Sequence, residues 1–562
     1  MKSILEQRVV SACQELFNAE TTITLSRPQE QFGDYTTNVA LRLSKQLSKN
    51  PREVAETIAA KLRETLNEYV SQVTIAGPGF INLHLNDQTL QSALQAKPAR
   101  SLQGQSIVAE YSDPNPFKVL HAGHLYTTIT GDAIARLLEA AGATVHRINY
   151  GGDVGLHVGK TMWAIIHCLG GELPEKLGEI DAGKRPEWLS ERYVEGNAAY
   201  EQDDKAKAEI ARINKRVYEV HAKEDHESPF AQIYWTCREW SYDGFHELYK
   251  QLQVTEFERY IAESEVTPIG IEMSQKGLEE GVLTRSDGAV VFAGEQHDLH
   301  TRVFLNSEGL PTYEAKELGL AALKWRDYNF DQGIIITAND IVEYMKVVLK
   351  ALEHFYPETV PRSKHITHGI IKLPGGKKMS SRKGNILRAQ DILEIADKAN
   401  QALNDQNNHE TVLGAVKYAF LKSRIGGDII YDPEQSVSLE GNSGPYLQYA
   451  HARACSILRK ATKEGAQAGA LNGEIKFDPE ERSLVRKITE YVEVFDNAVT
   501  ELMPHHLCTY LYELAQTFNR FYEHNQVVGD TREATRLSLV KHYADTLQAG
   551  LYLLGIAAPD RM

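Results

Sequence analysis

Two short segments carry the residue types that phosphate chemistry needs. His121-Ala122-Gly123-His124 sets two imidazoles around a glycine, and Lys378-Met379-Ser380-Ser381-Arg382-Lys383-Gly384-Asn385 sets a run of cations before a glycine. A helix start presents free N–H groups and positive partial charge to anionic oxygen. A basic loop hinged on glycine closes on a triphosphate and offsets the charge that builds on departing pyrophosphate. In this order, about 250 residues apart, the two segments describe a site that handles ATP without a Walker loop.

Spacing alone is weak evidence. Twenty histidines in 562 residues give on the order of one H-x-x-H pair by chance, and the chain has three: His121/His124, His297/His300 and His365/His368. A zinc reading wants a third ligand and usually H-E-x-x-H, which does not occur. Context separates the first pair from loop histidines. It follows a strand-like run and stands where a helix begins, and Gly123 lets a flat ring approach the backbone closely. A basic run is most often a solvated surface loop. The embedded Met379 and the preceding Gly375-Gly376 favour function for this one. Gly155-Leu156-His157-Val158-Gly159-Lys160-Thr161 is one residue short of a Walker loop and reads as a turn into a helix. Gly77-Pro78-Gly79 lacks the third glycine of a dinucleotide fingerprint.

The elements that position these segments form an α/β pattern. Ser106–Tyr111 reads as a buried strand, a turn through Pro114, Asn115 and Pro116 follows, and Leu125 to Ala141 is helical up to Gly142. Thr144–Tyr150 is the next strand, which makes a parallel crossover unit. Residues 170–265 interrupt it with a charged helical insertion, including a polar helix over Lys205–Glu224. The pattern resumes with strand Gly333–Thr337, helix Val342–Phe355 and strand Ile370–Leu373. Upstream, residues 1–100 read as a small α+β domain: a helix with Val54, Ile58, Leu62 and Leu66 on one face, then strands Val73–Ala76 and Phe80–Leu85. Residues 389–562 read as an all-α bundle, with Leu537, Val540, Tyr543, Leu547, Leu551 and Leu554 on one stripe. The expected architecture is therefore an α/β Rossmann-like domain over 101–388 between an α+β domain and a helical one.

The net charge of −15 argues weakly against nucleic acid, because local clusters of basic groups decide affinity. Five scattered cysteines without a C-x-x-C pair suit a reducing cytoplasm, and no structural zinc is expected. No apolar run is long enough to span a membrane, and Met1–Val10 lacks a signal-peptide core.

The chain resembles class I aminoacyl-tRNA synthetases. His121–His124 is similar to their HIGH motif, and Lys378–Asn385 to KMSKS-x-G-N, with Ser381 in place of the second lysine. Within that class it resembles the arginyl-tRNA synthetase family along nearly its whole length. The segments that carry this are Glu110–Lys118, Asn149-Tyr150-Gly151-Gly152-Asp153-Val154-Gly155, Gly444–Arg453, Gly550–Met562, Phe32–Asn38 and Gly77–Leu83. The resemblance implies ATP-dependent attachment of L-arginine to tRNA(Arg) through an arginyl-adenylate, with Mg2+ accompanying ATP. It also implies arginine activation that needs bound tRNA. A monomer is expected.

The resemblance assigns roles residue by residue. His121, His124, Lys118 and Lys378 would stabilise the transition state. His121, Gly123, His124, Lys378, Met379, Ser380, Ser381 and Lys383 would bind ATP. Lys118 stands where many arginyl enzymes that lack the second lysine of the loop carry a substitute. Glu110, Asp113, Asn115, Tyr313, Glu317 and Asp340 would hold arginine, with Glu317 where the family has Asp and Asn339 an alternative to Asp340. A planar cation suits such a set, since it pairs with carboxylates and an aromatic face. Tyr313 and Glu317, one helical turn apart, share a face. For tRNA, Phe80 and Asn82 resemble positions that read a D-loop base. Tyr446, Gln448 and Arg453, with His451, are candidates to face the anticodon. Two rivals are a class I enzyme for lysine, cysteine or methionine and a non-catalytic tRNA-binding paralogue. The missing cysteine cluster weighs against zinc-bearing members, the paired carboxylates against an apolar amino acid, and the two ATP motifs against the paralogue.

Overall fold

A computed structural model describes residues 1–375, 387–404, 408–469, 471, 473 and 475–562. The basic segment Lys378–Asn385 lies outside them, so the expectations for Lys378, Met379, Ser380, Ser381 and Lys383 have no structural counterpart here.

The centre is a five-stranded parallel sheet, in the order Ser363–His368, Gln332–Ala338, Ser106–Glu110, Thr144–Gly151 and Arg259–Ala262. Both neighbours of Ser106–Glu110 are parallel to it, and Glu110 pairs with Ile335 on one side and Ile148 on the other. In this doubly wound order the chain leaves the first strand in one direction and later returns on its other side. Ligands bind in the crevice that this reversal opens at the carboxyl ends of the strands. Helix Ala122–Ala140 follows the first strand and buries Leu125, Ile129, Ile134, Leu137 and Leu138. Gly131 gives it close contact with the sheet, because a methyl group there would lie 2.1 Å from the Tyr111 ring. The helix stops before Gly142, whose φ of 100° suits glycine.

Two expectations need correction. The insertion does not run to residue 265, because Arg259–Ala262 pairs in parallel with Ile148–Gly151 and completes the central sheet. Charged residues at an edge strand hide it from a hydrophobic-pattern reading. The strand expected at Ile370–Leu373 is short and lies apart: Ile371–Lys372 pairs with Ile429–Ile430, while the edge of the central sheet is Ser363–His368. The inserted helices Arg185–Gln202, Asp204–Ala222 and Pro229–Gln251 form their own apolar cluster around Val217, Phe230, Ile233 and Tyr234. A three-stranded antiparallel sheet, Thr284–Ser286, Ala289–Phe292 and Arg302–Leu305, covers another flank. The segment Gly155–Thr161 is a turn into helix Leu156–Leu169, with Gly155 at φ 109°.

The N-terminal part folds helices Lys2–Phe17, Val39–Leu47 and Pro51–Thr65 on a sheet of Tyr35–Thr37, Phe80–Leu85 and Val70–Ala76. It is clamped to the C-terminal bundle. Arg27 and Tyr35 both donate to Glu493 Oε1, at 2.7 Å from Arg27 Nη2 and 2.7 Å from the Tyr35 hydroxyl. Asp34 has no exposed surface; its Oδ2 accepts from Leu85 N at 2.7 Å and Arg482 Nη2 at 2.6 Å. Arg486 stands 3.4 Å from the other oxygen. In the bundle, Leu537, Val540, Tyr543, Leu547 and Leu551 of helix Glu533–Leu553 are buried as the pattern predicts.

Removing one partner of a buried, hydrogen-bonded charge pair strands the other. Asp34→Ala is therefore expected to destabilise the chain by about 3 kcal/mol, read from the first transition in urea. A loss under about 1 kcal/mol would put this contact in the class of solvated surface pairs.

Candidate functional site

The first strand delivers Glu110 to the crevice, and a strained loop follows. Ser112, Asp113 and Phe117 all have positive φ, at 79°, 49° and 65°, which costs energy for residues with a Cβ. Buried partners hold them. The Ser112 hydroxyl lies 2.7 Å from both the Tyr249 and Thr128 hydroxyls. Asp113 Oδ1 accepts from Tyr150 N at 2.8 Å, and Asn115 Oδ1 accepts from Gly152 N at 2.7 Å. Phe117 is fully buried and stacks on Tyr234 of the insertion at 5.4 Å. Asp153, also fully buried, accepts from Ser264 N and Oγ and from Arg238 Nε at 2.9 Å, tying the insertion to the sheet edge.

The loop ends at His121, the N-cap of helix Ala122–Ala140. Gly123 N donates to His121 Nδ1 at 3.1 Å, and His121 N donates to His124 Nδ1 at 3.3 Å. This is a capping box made by two imidazoles. The rings stack with centroids 3.8 Å apart. A Cβ on residue 123 would lie 2.9 Å from the His121 ring, so the ring that Gly123 admits is that of His121. Burial pushes His121 down to about 4, with the Lys118 charge adding to it. His124 is held well below the usual range by burial first, then by His121 and Lys118. Both rings are therefore neutral at pH 7. Each Nδ1 accepts a backbone N–H, so the single ring proton sits on Nε2. The helix start thus carries two Nε2–H donors without a charge of their own.

The far side of the second motif is stitched to this point. Ala122 N donates to Leu387 O at 2.8 Å and Ala389 N to Leu120 O at 2.9 Å, with an antiparallel bridge between His121 and Arg388. A cavity of about 360 Å³ opens there, lined by Lys118, Glu187, Trp240, Phe245, Arg388 and Gln390 among others. Lys118 lies 5.5 Å from the Tyr193 ring of the insertion. Burial brings its ammonium down to about 8, partly opposed by Glu263.

Helix Tyr313–Tyr328 brings the second set of carboxylates. Tyr313 is 54% exposed at its start, so its ring stands at the rim. Glu317 Oε1 accepts from the Tyr344 hydroxyl at 3.1 Å. Burial first, then the Glu110 charge, raises Glu317 to about 8 and raises Asp113 well above its usual range. One buried carboxyl group, Glu110, and two half-buried ones, Asp113 and Glu317, thus gather around one place. Asn339 and Asp340 separate: the Asn339 amide donates to Gly426 O at 3.0 Å, while the Asp340 charge acts on His121 and His368.

Some residues at the site escape sequence reasoning. Lys324 Nζ donates to Glu110 Oε2 at 2.5 Å, and Lys316 pairs with Glu263; all four side chains are at most 8% exposed. Two lysines on an otherwise apolar stretch, beside Leu318, Leu320 and Leu323, are the only trace they leave in the sequence.

The RNA candidates divide. Phe80 is 39% exposed, but Asn82 is 3% exposed, flanked in the middle strand by Thr36 and Thr74. Gln448 has no exposed surface; its amide donates to Glu410 O and Ala557 O, fixing the C-terminal segment. His451 is likewise turned inward, 3.0 Å from Pro559 O. Asn82 and Gln448 thus present no surface to RNA, contrary to expectation. Tyr446 and Arg453 remain half-buried at the surface, joined through Asn519, with Arg453 4.7 Å over the Tyr522 ring. Near them Cys455 Sγ lies 3.7 Å from His451 Nε2 and 3.6 Å from Asp560 Oδ1. Burial and Asp560 push this thiol up to about 11, which keeps it a neutral hydrogen-bonding group. Among the described residues no helix is long and apolar enough to cross a membrane.

Comparison with known proteins agrees along the chain. Residues 87–432 match the family described as tRNA synthetases class I (R), catalytic domain. Residues 2–85 match the arginyl tRNA synthetase N terminal domain, and residues 447–562 the DALR anticodon binding domain. An arginine–tRNA ligase of a Synechococcus species is 32% identical, with 95% of this chain and 94% of the relative covered. One from Cutibacterium acnes is 32% identical over 95% of both chains. Among solved structures, the fold is similar to that of the arginyl-tRNA synthetase from Thermus thermophilus, with a TM-score of 0.80 and 24% identity over all of both chains. A sheet reversed at Glu110, two imidazoles capping a helix start, and family matches over residues 2–85, 87–432 and 447–562 agree on one assignment: the chain belongs to the arginyl-tRNA synthetase family.

Proposed function

We propose that this arginine–tRNA ligase activates L-arginine between the helix start at His121–His124 and the basic segment Lys378–Lys383, with Mg2+ carried on the ATP phosphates. An arginine carboxylate oxygen attacks the α-phosphorus, the α–β bridging bond breaks, and pyrophosphate leaves. A ribose hydroxyl at the 3′ end of tRNA(Arg) then attacks the arginyl carbonyl, and AMP leaves. The observation that carries this reading is the set of carboxyl groups, Glu110, Asp113 and Glu317, at the carboxyl end of the central strand, with two neutral imidazoles capping the helix that follows.

Each group has a physical reason for its role. The Nε2–H donors of His121 and His124 aim fixed dipoles at phosphate oxygens, and being uncharged they do not bind the product anions so tightly that release suffers. Lys118 lies at the edge of the same crevice, next to the chain that leaves the basic segment. With its ammonium near 8, it stays mostly charged at neutral pH and offsets charge on pyrophosphate. Glu110 and Glu317 take the guanidinium, Tyr313 covers it from the rim, and Asp113 and Asn115 set the α-amino end through the strained loop. Phe80 offers a stacking face to an unpaired base, and Tyr446 and Arg453 a surface to the anticodon arm. The enzyme works as a monomer in the cytoplasm.

The test is charging of tRNA(Arg) by the full-length chain with arginine, with lysine and with no amino acid. Arginine alone is expected to charge; intact ATP binding without arginine charging would reject the reading. Lys118→Ala is expected to lower arginine-dependent pyrophosphate exchange, measured with tRNA present, by about 100-fold while changing arginine KM by less than about threefold. Near-normal exchange in that variant would remove Lys118 from the chemistry.

A further inference from the structure

We propose that Lys324 is a positioning residue for substrate choice: its ammonium occupies one oxygen of Glu110, so that the pocket keeps one acidic group more than it has cations and selects a monocation able to span Glu110 and Glu317. The inference rests on the reading of Glu110 and Glu317 as the guanidinium partners.

Lys324 is 6% exposed and its Nζ stands 2.5 Å from Glu110 Oε2. It lies seven residues after Glu317 and eleven after Tyr313 on one helix. At 3.6 residues per turn these positions fall on a single stripe. Tyr313 is at the exposed end of that stripe, Glu317 lies one turn in, and Lys324 is at the deep end. Its neighbours Leu320 and Leu323 are fully buried against the sheet with Val108 and Ile148. A core of that kind has no need of a cation, since apolar residues often replace buried ion pairs without loss of stability. The ammonium is explained by its effect on the carboxylate at the end of the first strand.

The charges that face the pocket from every packed element can be counted. Glu110 comes from the first strand, Asp113 from the loop after it, Glu317 and Lys324 from one helix, and the hydroxyls of Tyr150 and Tyr344 from the next strand and helix. The Glu263 charge is matched by Lys316, and the Glu314 charge by Arg302 at 3.9 Å. Asp113 is raised well above its usual range by burial and by Glu110, and its Oδ1 is taken up by Tyr150 N at 2.8 Å, outside the pair that faces the ligand. Glu110 and Glu317 thus face one ammonium: the pocket carries −1 when Glu317 is ionised and is neutral when Glu317 holds its proton. A guanidinium that takes the place of that proton keeps it neutral. Its planar fork also reaches two acceptors at once, whereas a lysine ammonium is a point donor. Without Lys324 the same place would hold two unmatched carboxylates and would fill with protons instead, which favours neutral groups over a cation.

The test compares full-length wild type, Lys324→Met and Lys324→Arg in aminoacylation with tRNA(Arg), varying pH and using citrulline, the neutral isostere of arginine, as inhibitor. Lys324→Met is expected to raise arginine KM about tenfold at pH 7 with a smaller change in kcat. It should move upward the pH at which KM levels off, and narrow the preference for arginine over citrulline. Lys324→Arg should restore all three. An unchanged KM, pH break and citrulline preference in Lys324→Met would overturn the proposal. So would loss of kcat and KM together with no recovery in Lys324→Arg, which assigns Lys324 to packing. If wild type itself shows no pH break, the reading of Glu110 and Glu317 falls, independently of Lys324.

Discussion

Several carboxyl groups gathered beyond the carboxyl ends of the central strands are the constraint from which the rest of the site follows. Removing an ionised carboxylate from water is costly unless a partner or a proton compensates. Here the compensation is divided. Lys324 meets Glu110, Lys316 meets Glu263, and Asp113 and Glu317 are raised by burial and by the Glu110 charge. On the proposed reading an arriving cation completes the arrangement, and the doubly wound sheet opens its crevice on that side.

The phosphate side uses the opposite device. On the proposed reading negative oxygen is met there by dipoles and by few charges: a helix start, two Nε2–H groups and Lys118. The loop Ser112–Phe117 joins the two halves and bears the strain of three left-handed residues. Its anchors come from the adjacent strand, from helix Ala122–Ala140 and from the insertion, through Tyr150, Thr128, Tyr249 and Tyr234. The distance between the amino-acid end and the phosphate end is thereby set by the sheet and the insertion together. The bridge between His121 and Arg388 brings the chain beyond the basic segment to the same point, although the intervening sequence is long.

Much of this was legible because it is local. The helix start at His121, the strand ending at Glu110, strand Phe80–Leu85 and helix Val342–Phe355 announce themselves by short-range pattern. What stayed hidden depends on distant chain. Lys324 reads as one more charged helix position until Glu110, 214 residues away, is seen to accept from it. Arg259–Ala262 looks like the tail of a charged insertion until its neighbour in the sheet is known. Asn82 and Gln448 have the right chemistry for RNA but the wrong side. Their surroundings are set by flanking strands and by the C-terminal segment, which periodicity within one element does not report. Glu317 stands where the family has Asp, and its hydrogen bond to Tyr344 shows where the longer arm is anchored.

The central claim is that arginine replaces a proton in a pocket with one acidic group more than it has cations. Glu317, raised to about 8, holds its proton at pH 7 in the free enzyme, and an arriving guanidinium favours the ionised form and expels it. Calorimetric titration of the tRNA-bound enzyme with arginine, in buffers of different ionisation enthalpy, counts that proton directly. The account predicts release approaching about one proton per arginine at pH 7, fading as pH rises past 8. Binding with no proton release at pH 7, or with proton uptake, would contradict it.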